Sequence, residues 1–271
     1  MRRNAWLSIV LIAAPVFAQS AAEIVMKSVD RDLNNFERQK NYTYQQHEQE
    51  REFDAKGAVS KTESETKEVM ILAGRPYERL IARNGKPLDE KDARKEQERM
   101  DRALARRGRM TDEENARREK ERAENRTFMK QLPDAFNFRL DPDEVISGKA
   151  AWVIEAEPNP DFKPATLQGK VFSKVRGKVW IDKSEYEWVK AEMQVLDTIS
   201  MGLALFRIAP GGFINFEQAR VNDEVWLPSH MLIRADARLA YVKKIRTEIE
   251  INYTDYKKFQ SESKMVSVAE K

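Results

Sequence analysis

Between Val175 and Tyr256 apolar side chains recur at every second position, with short turn sequences interrupting the pattern. The last stretch is the clearest: Leu239, Tyr241, Ile245, Thr247, Ile249, Ile251 and Tyr253 line one face, against Lys244, Arg246, Glu248 and Glu250 on the other. A period of two with one wet face is the signature of a meandering antiparallel sheet. Its dry face needs a cover, supplied either by the chain's own helices or by a ligand.

The same logic runs upstream. Val179 and Ile181 share a face of Gly177-Lys178-Val179-Trp180-Ile181-Asp182-Lys183, and Val189, Ala191, Met193 and Val195 share a face of the run after it. Met201 to Ile208 is almost continuously apolar and reads as one strand covered on both sides. Pro210-Gly211-Gly212 turns it into Phe213 to Val221, and Asn222-Asp223 turns that into Val225 to Arg234. Earlier strands are expected over Tyr42 to Phe53 and Ser60 to Ala73, joined by Asp54-Ala55-Lys56-Gly57, and over Tyr77 to Arg83, closed by Asn84-Gly85. A further pair, Phe136 to Ile146 and Ala150 to Glu157, flanks Ser147-Gly148. Pro158, Pro160 and Pro164 make the next stretch a surface loop. Strict alternation puts Trp180 on the outer face, packed under that loop or under the charged segment described next.

Two helical patterns complete the chain. Val25, Val29, Leu33 and Phe36 recur at helical spacing and predict an amphipathic lid lying on the sheet. Residues 86–127 are different material, with 14 Lys or Arg and 12 Asp or Glu. Asp89 can cap one helix, Gly108 ends it, and Thr111 with Glu114 forms a capping box for a second. Pairs such as Glu98 with Arg102 and Glu113 with Arg117 add about 0.3 kcal/mol each. Residues 86–130 are therefore read as a solvated helical hairpin inserted in a single domain spanning 19–271. The sharper alternative is a docking arm for a partner or an anionic membrane surface.

Met1-Arg2-Arg3, the apolar run Ala5 to Phe17 and small residues before Gln19 predict a secretory signal peptide over 1–18, cleaved after Ala18. The formal charge of +3 falls to +1 once Arg2 and Arg3 leave, which removes any bulk-charge argument for nucleic acid. With no cysteine in the chain, stability must come from the core rather than from disulfides.

Little here suits catalysis. His47 and His230 lie in separate strands, there is no thiol, and no metal-ligand cluster, phosphate loop or nucleophile elbow occurs. Asp182 with Asp197 or Glu192 is the best acid and base pair available, and each sits at a strand end or on the charged face. The expectation is a protein that is not an enzyme, with no cofactor and no metal. The methionines Met70, Met193, Met201 and Met231 suit an adaptable apolar surface.

At Gly177 to Lys183 with Val189-Lys190-Ala191-Glu192, and at Val221-Asn222-Asp223-Glu224-Val225-Trp226-Leu227-Pro228, the chain resembles the superfamily of outer-membrane lipoprotein-sorting proteins. That superfamily includes the carrier LolA, the receptor LolB and the sensor RseB. The resemblance implies an α+β fold: a curved antiparallel sheet forming an unclosed barrel, covered by helices, with an apolar face for acyl chains. Segment 86–130 is foreign to the carrier pattern, and the missing cysteine excludes a LolB-like anchor.

The resulting expectation is an exported, periplasmic, soluble protein that binds lipid or an acylated lipoprotein. Candidate ligand-binding residues are Val179, Ile181, Val189, Met193, Val195, Met201, Leu203, Met231, Ile233, Tyr241, Ile249 and Ile251, beneath the lid residues Val25, Val29, Leu33 and Phe36. The alternative is an envelope interaction or stress-sensor module that binds a protein partner through residues 86–130.

Overall fold

A computed structural model describes residues 19–73, 75–166, 168–201, 206–239 and 243–258. The expected signal segment lies outside these residues. The chain begins with helix α1 (Ala21–Gln39) and continues through strands β1 (Tyr42–Phe53), β2 (Val59–Leu72), β3 (Arg75–Arg83) and β4 (Lys86–Pro87). Helices α2 (Glu90–Gly108) and α3 (Asp112–Thr127) follow, then a 3-10 segment (Phe128–Gln131) and the single turn α4 (Leu132–Ala135). Strands β5 (Phe136–Ile146) and β6 (Lys149–Pro158) lead to a second 3-10 segment (Gln168–Lys174). The remainder is β7 (Val175–Asp182), β8 (Trp188–Val195), β9 (Ile199–Met201), β10 (Phe206–Ile208), β11 (Phe213–Val221), β12 (Val225–Leu239) and β13 (Lys243–Lys258).

All strands join one antiparallel sheet, ordered β4-β3-β2-β1-β13-β12-β11-β8-β7-β6-β5, with β10 pairing to the end of β12 and β9 to β10. Among the described residues the two edges, β4 and β5, do not pair, so the sheet is an unclosed half barrel with helices laid on it. The turns form where the sequence supplies them. Asn84 and Gly85, and Ser147 and Gly148, have positive φ, the requirement of two-residue type I′ hairpins, and Asn222 and Asp223, also at positive φ, begin a three-residue connection between Val221 and Val225.

One expected strand is two. Met201 pairs with Phe206 and Ile199 with Ile208, so the apolar run reverses on itself instead of extending to Ile208. A continuously apolar run carries no period, which is why sequence alone could not place the reversal.

The N-terminal half of α1 is apolar. Ile24, Val25 and Val29 pack on Ile154 of β6 and Ile181 of β7, with Leu33 at the margin. Ile24, Ile154 and Ile181 are at most 1% exposed, and burial at this level stabilises by about 2 kcal/mol per side chain. Ser20 caps the helix in a reciprocal box with Glu23. The C-terminal half of α1 docks through polar groups: Trp188 donates to Asp32 Oδ1 at 2.9 Å, Gln39 donates to the Trp226 carbonyl at 2.9 Å, and Arg38 to that of Glu224 at 2.9 Å.

Helix α2 is less solvated than its composition implies. Tyr77 of β3 lies between the guanidinium groups of Arg99, 4.9 Å from the ring centre, and Arg107, at 5.8 Å, while Glu96 is buried against it. Arg107 donates to the carbonyls of Leu72, Arg75 and Pro76, and Arg99 to that of Glu78. Because β4 pairs only with Ala82 and Arg83, these arginines cover an edge that β4 leaves bare. Of the expected ion pairs, Glu98 with Arg102 forms at 3.6 Å. Arg117 pairs with Glu121 rather than Glu113, and Glu114 is used by the capping box at Thr111.

Trp180 lies on the face opposite Val179 and Ile181, as alternation requires, but under neither the proline loop nor α2. It packs with Ala151, Val153, Val189 and Trp226, and donates to Glu144 at 2.8 Å.

Candidate functional site

Directly paired residues in an antiparallel sheet share a face, so the register traces the α1 face from strand to strand. One ladder runs Ile154, Val179, Ala191, Phe216, Met231, Ile251, Glu48, Glu65. The next runs Ala156, Gly177, Met193, Ile214, Ile233, Ile249, Glu50, Glu63. The first starts in the closed core under α1 and the second beside the Phe136 and Phe172 cluster, where Ala156 packs; both then pass through an apolar middle on β8, β11, β12 and β13 to an acidic end on β1 and β2.

The candidate residues therefore divide. Ile181 belongs to the core that α1 seals, and Val179 packs against that core half-buried. Val195 packs with Phe136, Phe172 and Val175 at another end of the face. Val189, expected beside Val179, turns the other way to join Trp180 and Trp226. A bulge explains it: Ile181 pairs with Trp188 and Trp180 with Lys190, leaving Val189 as the extra residue that shifts the alternation. Met193, Met231, Ile233, Ile249 and Ile251 do come together on the two ladders. The backbone of Met201 sits in β9, while Leu203 and Tyr241 lie outside the described residues.

Sequence reading missed Ile214 and Phe216, which complete the strip on β11. Their alternation was readable, but β11 carries Asn215, Glu217 and Gln218 and lacks the apolar density of its neighbours. Met193, Ile214, Phe216, Met231, Ile233 and Ile249 are half-buried and lie outside the four packed core clusters. Phe216 packs against Trp188 with the rings tilted by 34° and their centres 4.9 Å apart, and Trp188 in turn packs on the α1 core. This tryptophan marks the boundary between the sealed and half-covered parts of the face.

Gly177 has a steric role here. A Cβ on it would sit 2.8 Å from the Glu192 carbonyl oxygen, so only glycine lets β7 and β8 approach beside Met193. At the acidic end, Lys67 pairs with Glu48 at 2.9 Å and Glu65 at 3.5 Å, Arg83 with Glu65 at 3.1 Å, and Lys61 with Glu63 at 2.7 Å. Glu50 accepts from the Thr247 hydroxyl at 3.1 Å.

The carboxylates weighed as an acid and base pair have other duties. Asp182 caps the β7 to β8 turn, accepting from the Ser184 and Glu185 amides and the Ser184 hydroxyl. Asp197 pairs with Lys174, and Glu192 with Lys190. His47 and His230 both pair in register with Asn252, one on each side, on the face away from α1. Among the described residues no group of His, Cys, Asp and Glu could hold a metal, and no helix is long and apolar enough to cross a membrane. One buried acid was not anticipated: Glu187, beside α1, has its carboxyl pushed up to about 7 by burial and by the nearby Asp32 charge.

No family model matches the chain, and no curated protein matches it. Among solved structures it aligns with an outer membrane lipoprotein-sorting protein domain from Vibrio parahaemolyticus, at 12% identity over 88% of this chain and 94% of that one, with a TM-score of 0.32. A LolA superfamily protein from Nitrosomonas europaea aligns at 12% identity over 90% and 94%, with a TM-score of 0.31. The MucA/MucB complex of Pseudomonas aeruginosa aligns at 10% identity over 86% and 99%, with a TM-score of 0.21.

Proposed function

We propose that this chain is an exported, non-catalytic binding protein of the cell envelope, and that its ligand is an acyl chain of a lipid or lipoprotein laid along the apolar strip. One observation carries the reading: Met193, Ile214, Phe216, Met231, Ile233 and Ile249 form a continuous apolar row over four strands and remain half-buried with no helix among the described residues packed on them, while Ile154 and Ile181 on the same face are sealed by α1. A strip of this kind loses water contact favourably when an apolar chain lies on it, and the thioethers of Met193 and Met231 adapt to an irregular tail. The ion-paired end at Glu48, Glu65 and Lys67 suits the polar part of such a ligand.

Native mass spectrometry of the delipidated chain with palmitate, phosphatidylglycerol and a triacylated peptide tests the proposal. A one-to-one adduct with at least one of them, weakened by Ile233→Asp, is the expected result. No adduct with any of the three overturns the reading.

A further inference from the structure

The near balance of charge in residues 86–127 conceals an uneven distribution. At the elbow between α2 and α3 lies a pocket of about 540 Å³, lined by Arg102, Arg106, Arg109, Met110, Arg117 and Arg118 together with Ala105 and Glu114. Five guanidinium groups face one carboxylate. That carboxylate is already engaged, because Glu114 accepts the Thr111 amide at 3.0 Å in the capping box of α3.

The arginines come from spacing. Arg102 and Arg106 lie one turn apart on α2 and Arg109 is its C-cap, at i, i+4 and i+7, while Arg117 and Arg118 sit in the first two turns of α3. Arg102 and Arg117 have carboxylate partners, at 3.6 and 3.8 Å, in pairs that are mostly exposed. Arg106, Arg109 and Arg118 make no ion pair among the described residues. Like charges at i, i+4 destabilise a helix, so the arrangement costs free energy in the empty protein and recovers it when an anion enters.

The elbow is also held in place. Arg75 of β3 reaches the sulfur of Met110 at 3.3 Å and Asn115 at 2.5 Å, and Arg107 clasps the β3 carbonyls. The pocket is therefore fixed relative to the sheet, and its walls are planar forks suited to bidentate pairing with phosphate oxygens.

We infer that the α2 to α3 elbow is a binding site for a phosphate-bearing anion, held by Arg106, Arg109 and Arg118 with Arg102 and Arg117 at the rim. The site stands apart from the apolar strip and does not depend on the function proposed for it. Two sources share the chemistry, a free phosphate compound and a phospholipid headgroup.

The full chain after export processing would be titrated calorimetrically with pyrophosphate, and separately floated with vesicles of phosphatidylglycerol or of phosphatidylcholine. The variant R106Q/R109Q/R118Q is compared with K56Q/K86Q/K163Q, which removes equal charge at exposed lysines elsewhere, and circular dichroism checks that both fold. Pyrophosphate binding weakened at least about tenfold in the arginine variant alone identifies a free phosphate compound. Flotation with phosphatidylglycerol alone, lost in the arginine variant alone, identifies the headgroup. Binding of neither probe, equal losses in both variants, or retention by the arginine variant overturns the inference.

Discussion

The side chain of Asn35 pairs with the backbone of Trp226 in both directions: its Nδ2 donates to the carbonyl at 2.7 Å and its Oδ1 accepts the amide at 3.0 Å. A helical side chain thus acts as a short piece of strand beside β12 and fixes where α1 lies. Asn35→Ala leaves the Trp226 amide without this partner, the carbonyl keeping its bond from Gln39, in a region where Asn35 is 2% exposed, and is expected to cost roughly 1–3 kcal/mol in urea unfolding. Asn35→Asp should be as harmful at neutral pH, because a carboxylate oxygen then faces the Trp226 carbonyl, and should recover partly in acid. Equal stability of wild type and Asn35→Ala would remove Asn35 from the docking of α1.

Gly177→Ala pushes a methyl group against the Glu192 carbonyl oxygen, a backbone atom that cannot swing away. The expected loss is about 1–3 kcal/mol in chemical denaturation. Gly57, with open space around its Cβ position, differs: its cost on substitution would come from its φ of +83° alone.

The two parts of the α1 face should respond differently to the same change. Ile181→Ala removes a fully buried side chain from the sealed core and should cost about 2–5 kcal/mol. Ile233→Ala, on the half-buried strip, should cost distinctly less stability and take its toll on ligand uptake instead. Matching stability losses at the two positions would mean that the strip is ordinary core.

Glu187 gives stability a pH dependence of known sign. Its carboxyl, ordinarily near 4.5, is pushed up to about 7, first by burial and then by Asp32, with Arg38 and Arg31 pulling the other way. Between those values the folded chain holds a proton that the unfolded chain has released, so the contribution from this group falls as pH rises from 4.5 to 7. Glu187→Gln keeps the neutral form at every pH. Its urea midpoint should exceed that of wild type at pH 8, and the gap should shrink toward pH 4; a gap independent of pH contradicts the assignment.

Tyr77→Ala removes the ring held between Arg99 and Arg107 and the hydroxyl that meets Glu96. Limited proteolysis should then cut first within α2 and α3 while the sheet survives. An unchanged digestion pattern would show that the arginine contacts to the β3 carbonyls suffice alone.

The strands, the tight turns and the two capped helices were legible because each rests on local chemistry: alternation, positive-φ turn residues and N-caps. What could not be read depends on pairing between distant segments. Val189 was assigned by alternation, and a bulge against β7 moved it to the other face. Tyr77 gave no signal of receiving Arg99 and Arg107, both more than twenty residues further on. The lid residues Val25, Val29 and Leu33 were visible as a stripe, whereas Asp32 and Asn35 are polar residues that no stripe marks and are buried with bonds to Trp188 and Trp226. The strip itself was half legible, since β12 and β13 alternate cleanly and β11 hides Ile214 and Phe216 among polar neighbours.

The sheet order carries a consequence for the time course of folding. Among the described residues, strands β1 to β3 join the rest of the sheet through β13 alone, with Tyr42 paired to Lys258 and Phe53 to Arg246. The meander of β1 to β4 therefore waits until β13 is available, and the closing step joins segments about 200 residues apart, as the Tyr42 and Lys258 pair shows. Pairings of such long sequence separation are slow to form. A chain built this way cannot complete its sheet until β13 has been made, so its first hairpins are the last part of the sheet to be anchored.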